Sequence, residues 1–211
     1  MTRRLLLALS LLLALAPAAG AQAVPGPAPQ AVPGPAPQVV VEHLQATLLA
    51  AMQDAARLGF AGRRALLTPV VSEAYDFPAV ARVSAGPDWA RWSPADQARL
   101  IQLVGEVAIA TYADRFNGFG GERFEVLAVE PGQRGTTIVR SRIVRPNDAP
   151  VALDYVLAPR PQGWRIIDVL LDGKFSELAR QRADYGAVLQ QSGYDGLVRE
   201  LQAQLDRMAQ G

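Results

Sequence analysis

Apolar and polar positions change their period twice along this chain. From Val39 to about Leu58, the residues Val40, Val41, Leu44, Leu48, Ala51, Met52 and Ala55 recur at helical spacing, and Gly59 follows as a stop. A second helical segment covers about Gly62 to Tyr75, kinked or restarted near Pro69, and "DFP" at Asp76 to Pro78 opens a short helix with proline in its first turn. The stretch "WSPADQARLIQLVGEVAIATYADRF" carries a clear start signal. Ser93 can accept amide hydrogen bonds as N-cap, and Pro94 occupies a position that needs no intrahelical donor. Leu100, Leu103, Val104, Val107, Thr111 and Phe116 continue it as one apolar stripe, and "NGFGG" at Asn117 to Gly121 ends it.

The period then shortens. "RFEVLAVE", "TTIVRSRIV", "VALDYVL" and "WRIIDVLL" are short segments rich in Val, Ile, Leu and aromatics, separated by "PGQRG", "RPNDAP" and "APRPQG". Four sequential strands with such short links predict an antiparallel meander. After Gly173 the helical period returns through Leu178, Arg182, Tyr185 and Leu189, then through Leu197, Leu201, Leu205 and Met208. The order of helices, sheet, helices predicts an α+β domain: a four-stranded antiparallel curved sheet, NTF2-like, packed against N-terminal and C-terminal helices.

Composition adds an address. Arg3 and Arg4, the apolar run Leu5 to Leu15 and A-x-A sites up to Ala23 read as a secretory signal over residues 1–23. That run is far shorter than the roughly 20 residues of a membrane span. Residues 24–38 follow as a Pro/Gly/Ala-rich linker, extended and without a core of its own; the unit QAVPGPAP occurs twice between Gln22 and Gln38. Residues 39–211 are left as one domain. Of 21 basic side chains, the loss of Arg3 and Arg4 leaves 19 against 20 acidic ones, so a nucleic-acid partner is not expected. There is no cysteine, which rules out disulfides and thiolate metal sites, and the expected address is the periplasm.

Candidate chemistry is sparse. His43 is the only histidine and lies among Val41, Leu44 and Leu48, so neither a Cys/His pair nor a histidine-rich metal site is available. Asp168 and Asp172, four apart at the end of "WRIIDVLLDG", form the better candidate, because burial can raise a carboxyl into the range of acid/base work. Strict alternation puts Trp164, Ile166, Asp168 and Leu170 on one face and Arg165, Ile167, Val169 and Leu171 on the other. The structural alternatives are that Asp172 caps the next helix or holds an arginine, and that Asp168 pairs with Arg140 or Arg142. Arg182 sits in the row of Leu178 and Tyr185, where a guanidinium needs an anion or carbonyl oxygens.

The segments "GWRIIDVLLDG" and "SELARQRADYGAVLQQSGYDGLVREL" resemble the MlaC, or toluene-tolerance, family of periplasmic lipid-binding proteins, on Trp164, Asp168, Val169, Asp172, Gly173, Arg182, Tyr185, Gly193 and Asp195. Upstream, "AYDFPAVARVSAGPDWARWSPADQARL" is similar to the same family on Tyr75, Asp76, Arg82 and Trp89, with Tyr112 in the long helix. Gln181 stands where the family would have a tyrosine, and the glycine-to-arginine spacing is one residue longer. The pattern DG-x-x-SELA-x-x-R looks closer to the hopanoid-biosynthesis-associated HpnM branch. The resemblance implies a shuttle without catalytic residues, cofactor or metal, monomeric, exchanging a phospholipid or hopanoid with an inner-membrane lipid transport complex. The expected lipid-binding residues are Val104, Val107, Tyr112, Val139, Ile143, Tyr155, Val169 and Leu171, with Phe175 near the entrance and Arg182 near any polar head. The alternatives are an NTF2-like isomerase or dehydratase with Asp168 as base, and a solid-cored module held by its proline-rich arm.

Overall fold

The structure, a computed structural model, describes residues 34–210. The expected signal segment and most of the expected linker lie outside the described residues. The first helix, α1 (Pro37–Gln53), begins two residues earlier than its apolar period, because Pro37 fills a first-turn position where no amide hydrogen is needed. It also ends earlier, at Asp54, whose carboxylate is paired with Arg57. Helix α2 (Ala55–Ala74) contains the expected glycine break, with Gly59 at φ 59° and ψ −175°. No break occurs at Pro69. That residue and Ala65, whose carbonyl loses its amide partner, are both exposed, so water replaces the missing bond.

Helix α3 (Phe77–Ala85) starts from Asp76, whose side chain accepts from the Ala79 amide at 2.9 Å. A 3-10 segment, Gly86–Arg91, leads to α4 (Pro94–Arg115), capped by Ser93 as its sequence predicts. Strands β1 (Arg123–Pro131), β2 (Thr137–Arg145), β3 (Asp148–Arg160) and β4 (Gly163–Leu171) form the antiparallel meander. The sheet has five strands rather than the expected four. β5 (Phe175–Ser176) pairs with the end of β4, and two residues are too few to display a period. Helix α5 (Glu177–Gln210) is bent at Gly193, φ 64° and ψ −167°.

The helices cover one face of the sheet. Leu44 and Leu48 of α1, Leu67 of α2, Leu100 and Leu103 of α4 and Leu197 and Leu201 of α5 are buried with Leu157 of β3 and Ile166 of β4. Strict alternation fails on β4. Asp168 is opposite Val156 while Ile166 is opposite Leu157, so Ile167 is an extra residue that bulges out of the ladder. Past the bulge the faces exchange, and Ile166 and Val169 end up on the same, helix-facing side. Polar stitches fasten helices to sheet. Gln45 Nε2 donates to Ser141 Oγ at 2.9 Å, and the Asp76 amide donates to the Ile166 carbonyl at 2.9 Å. On the opposite face Arg140 bridges Glu130 and Asp154, and Arg142 pairs with Glu125.

Gly59 and Gly193 both occupy a backbone region that is essentially glycine's alone, although a Cβ there would meet nothing within 4 Å. Replacing glycine by alanine in a regular helix stabilises by about 1 kcal/mol. Here the sign reverses: Gly193→Ala and Gly59→Ala are each expected to destabilise by about 1–3 kcal/mol in urea unfolding, from backbone strain rather than collision.

Candidate functional site

A cavity of about 560 Å³ lies between α4, α5 and the helix-facing side of β3 and β4. From α4 and its C-cap come Val104, Val107, Tyr112 and Phe116; from the sheet Leu153, Tyr155, Val169 and Leu171; from α5 Leu178, Tyr185, Val188, Leu197 and Leu201. Both halves of α5 contribute, which a straight helix could not do; the Gly193 bend folds the second half back to complete the wall. Polar side chains gather at the rim: Arg115, Glu177, Arg180, Gln181, Asp184, Glu200 and Gln204. Arg180 is already paired there, with Glu177 at 2.6 Å and Asp184 at 3.0 Å.

Three tyrosines give the apolar wall a polar spot. The hydroxyls of Tyr75 and Tyr112 are hydrogen-bonded at 2.6 Å, and Tyr155, 1% exposed, lines the same cavity. Burial pushes all three phenols well above the ordinary tyrosine range, and pushes Tyr185 up to about 12. They remain neutral hydrogen-bonding groups at physiological pH.

The paired aspartates separate into two structural tasks. Asp168 starts α5: its Oδ1 accepts from the Leu178 amide at 2.9 Å and the Val169 amide at 2.8 Å, while Ser176 Oγ donates to its Oδ2 at 2.6 Å. Both oxygens are thus engaged with backbone and side-chain donors around the helix N-terminus. Asp172 neither caps that helix nor is ion-paired among the described residues. It adopts φ 51° beside Gly173 at φ 70°, forming the turn between β4 and β5. The arginines considered for Asp168 are used elsewhere, Arg140 by Asp154 and Glu130, Arg142 by Glu125. His43 is exposed on α1, and among the described residues no group of three or more His, Cys, Asp or Glu is arranged to hold a metal ion.

An apolar cavity roofed by a bent C-terminal helix, with a capping aspartate on the last long strand, brings Tyr75, Tyr112, Asp168, Val169 and Tyr185 of the motif residues together in its lining. The family model described as MlaC protein matches residues 42–203. The chain belongs to the MlaC family. A solved structure of the phospholipid-binding protein from Ralstonia solanacearum, in complex with a phospholipid, has the same fold: 21% identity, TM-score 0.71, covering 82% of this chain and 98% of that one. No curated protein sequence matches.

Within this MlaC-family domain, Val104, Val107, Tyr112, Tyr155, Val169 and Leu171 line the cavity. Val139, Ile143, Phe175 and Arg182 are not among its walls. Val139 is fully buried, opposite Tyr155 in the ladder, and is absorbed into the packed core. Ile143 lies further along β2, between Phe124 and Val151. Phe175 is 58% exposed on β5, with Lys174 over its ring. Arg182 is exposed and approaches Gly86 at the end of α3; the cavity side of α5 runs through Glu177, Gln181, Asp184 and Val188 instead. Leu153, Leu178, Val188 and Arg180 were missed as wall and rim residues. Val188 falls one position off the expected stripe and Arg180 two, a rotational setting that apolar spacing alone does not resolve.

Replacing Asp168 by alanine removes the acceptor for two amides and a hydroxyl, so Asp168→Ala should lower stability by about 1–2 kcal/mol, read by thermal or urea unfolding, without abolishing the fold. The buried tyrosines set a pH limit. Their folded pKa values lie above the unfolded value near 10, so the stability they contribute is complete below about pH 10 and is lost as pH rises through the folded values. Spectrophotometric titration should show Tyr75, Tyr112 and Tyr155 ionising together with alkaline unfolding, not before it.

Proposed function

We propose that this protein is a lipid-binding shuttle, a carrier rather than an enzyme, that encloses a phospholipid or hopanoid while moving it across the periplasm. The observation that carries the reading is the apolar cavity of about 560 Å³ in a chain of the MlaC family. Its size lies within the roughly 300–1,000 Å³ of small-molecule sites. Each methylene kept from water is worth about 0.8 kcal/mol, so a lipid leaving a bilayer needs such a sheath. The phospholipid bound by the Ralstonia solanacearum protein of the same fold supports a lipid as the ligand here. Val104, Val107, Tyr112, Tyr155, Val169 and Leu171 are the wall that would touch it.

The finer reading rests on the sequence. Residues 1–23 act as export signal, residues 24–38 as a spacer, and the domain works as a monomer that exchanges its cargo with an inner-membrane lipid transport complex. Register shifts in the β1–β2, β2–β3 and β3–β4 ladders support a curved sheet of NTF2-like kind, since bulges add bend and twist. Gln181, in place of the family's tyrosine, lies on the cavity rim and supports a cargo different from that of the usual phospholipid carriers, the hopanoid of the HpnM branch.

The test is mass spectrometry of lipids extracted from the mature protein, purified from its own cell envelope without detergent, beside a mock preparation. A stoichiometric lipid is expected, and its identity separates phospholipid from hopanoid. No co-purified lipid, together with no uptake from phospholipid or hopanoid-containing vesicles, would sink the carrier reading.

A further inference from the structure

Inside the polar rim the cavity wall is mostly apolar, and three tyrosine hydroxyls meet on it. Tyr75 and Tyr112 share one hydrogen bond of 2.6 Å, and the polar neighbours of the Tyr155 hydroxyl are that of Tyr112 and the amide of Gln45. Gln45 in turn donates to Ser141 Oγ at 2.9 Å, which fixes its orientation toward β2. A phenol has one hydrogen to donate and two lone pairs to accept with. The bond between Tyr75 and Tyr112 uses one of the three hydroxyl hydrogens, so donor capacity and several lone pairs remain in the cluster. Ala113, the next residue of α4, is fully buried on another face, whereas Tyr112 turns into the cavity. Phenylalanine would fill the same volume without bringing a polar group into apolar surroundings, where an unmet donor costs about 1–3 kcal/mol.

We infer that the hydroxyls of Tyr75, Tyr112 and Tyr155 form a polar subsite inside the cavity that binds an oxygen of the cargo. The preferred cargo is then a lipid with a hydroxyl or carbonyl oxygen within its apolar body, in preference to the same body without it. This rests on the carrier reading and deepens it. The rim groups at Arg115, Arg180 and Glu200 are outside this subsite; they face a head group at the mouth, whereas the tyrosines face what lies inside. The subsite discriminates by loss: a cargo without the oxygen leaves the spare donor unpaired, and that penalty lowers its affinity relative to its oxygenated partner.

The experiment is displacement of a fluorescent fatty acid from the mature protein by matched pairs of competitors. One pair is oleic acid and its mid-chain hydroxy derivative, ricinoleic acid; the other is a pentacyclic triterpene hydrocarbon and its tertiary alcohol. In at least one pair the oxygenated member should displace the probe at about tenfold lower concentration, the equivalent of one buried hydrogen bond. Tyr112→Phe and Tyr155→Phe should each cut that preference to about twofold or less, by weakening the oxygenated member more than the plain one, and keep the native circular dichroism. Equal affinity within both pairs would overturn the inference, as would a preference that survives both substitutions. Failure of the protein to bind the probe or any competitor would remove the carrier reading, and the subsite with it; binding of plain and oxygenated members alike removes the subsite only. Should one variant not fold, the other still reads the preference.

Discussion

Unfilled apolar volume is the constraint around which this domain is arranged. Empty cavities cost roughly 24 cal/mol per Å³, so a dry void of about 560 Å³ would cost on the order of 10 kcal/mol, comparable with the whole stability of a domain. The cavity is therefore occupied, by ligand or by water entering past its polar rim, and its walls cannot hold one another through packing across the gap. They are held from behind. Arg63, 8% exposed, donates to the Ala113 carbonyl at 2.8 Å and to the Ala55 carbonyl at 3.1 Å. The first is an end carbonyl of α4 and the second is the carbonyl that the Gly59 break leaves free, so one guanidinium completes two interrupted ladders and fastens α2 to α4.

The first half of α5 has the hardest task, because it forms wall over the cavity and gains least from the sheet beneath. It is fixed at both ends. Asp168 accepts the amide of Leu178 at its start, and at the bend the Tyr194 hydroxyl donates to the Asp96 carbonyl at 2.9 Å while its ring meets Trp92 edge-on at 4.9 Å. This accounts for an aspartate pair that looks like chemistry in the sequence. Asp168 stands at the mouth of a cavity because the helix that closes the cavity begins there, and its acceptor capacity goes into that helix start.

Much of this was legible from period and punctuation. Ser93 and Pro94 announced α4, the Pro/Gly-rich links announced the meander, and Gly59 marked a break. What escaped were features decided by geometry at longer range. The bulge at Ile167 reverses the side-chain faces of β4, and nothing in "WRIIDVLL" distinguishes a regular strand from one carrying an extra residue. The partner of Arg140 is Asp154 on the adjacent strand, a pairing fixed by register rather than by spacing along the chain. Val139 and Tyr155 face each other in one ladder, yet one is packed core and the other cavity wall; only the position of the covering helices separates them. Arg182 and Arg180 differ by two residues, about 200° around α5, so the rotational setting of the helix decides which of two exposed arginines faces the rim.

The rim then bears on how a carrier of this kind would select its load. A cluster of free cations would attract any anionic amphiphile and hold it by charge. Here Arg180 is shared between Glu177 and Asp184, and Glu200 is paired with Arg207 at 3.0 Å, so the mouth carries mixed charge with no excess of cations. Such exposed pairs contribute little individually and are weakened by salt. Charge at the entrance is thus a poor source of affinity, and the free energy of holding a lipid has to come from the cavity behind it. Affinity drawn from apolar burial scales with the hydrocarbon enclosed and is insensitive to head-group charge. A membrane or a second apolar groove offers the same kind of stabilisation, so handover needs a competing surface and a path past α5 rather than a chemical step.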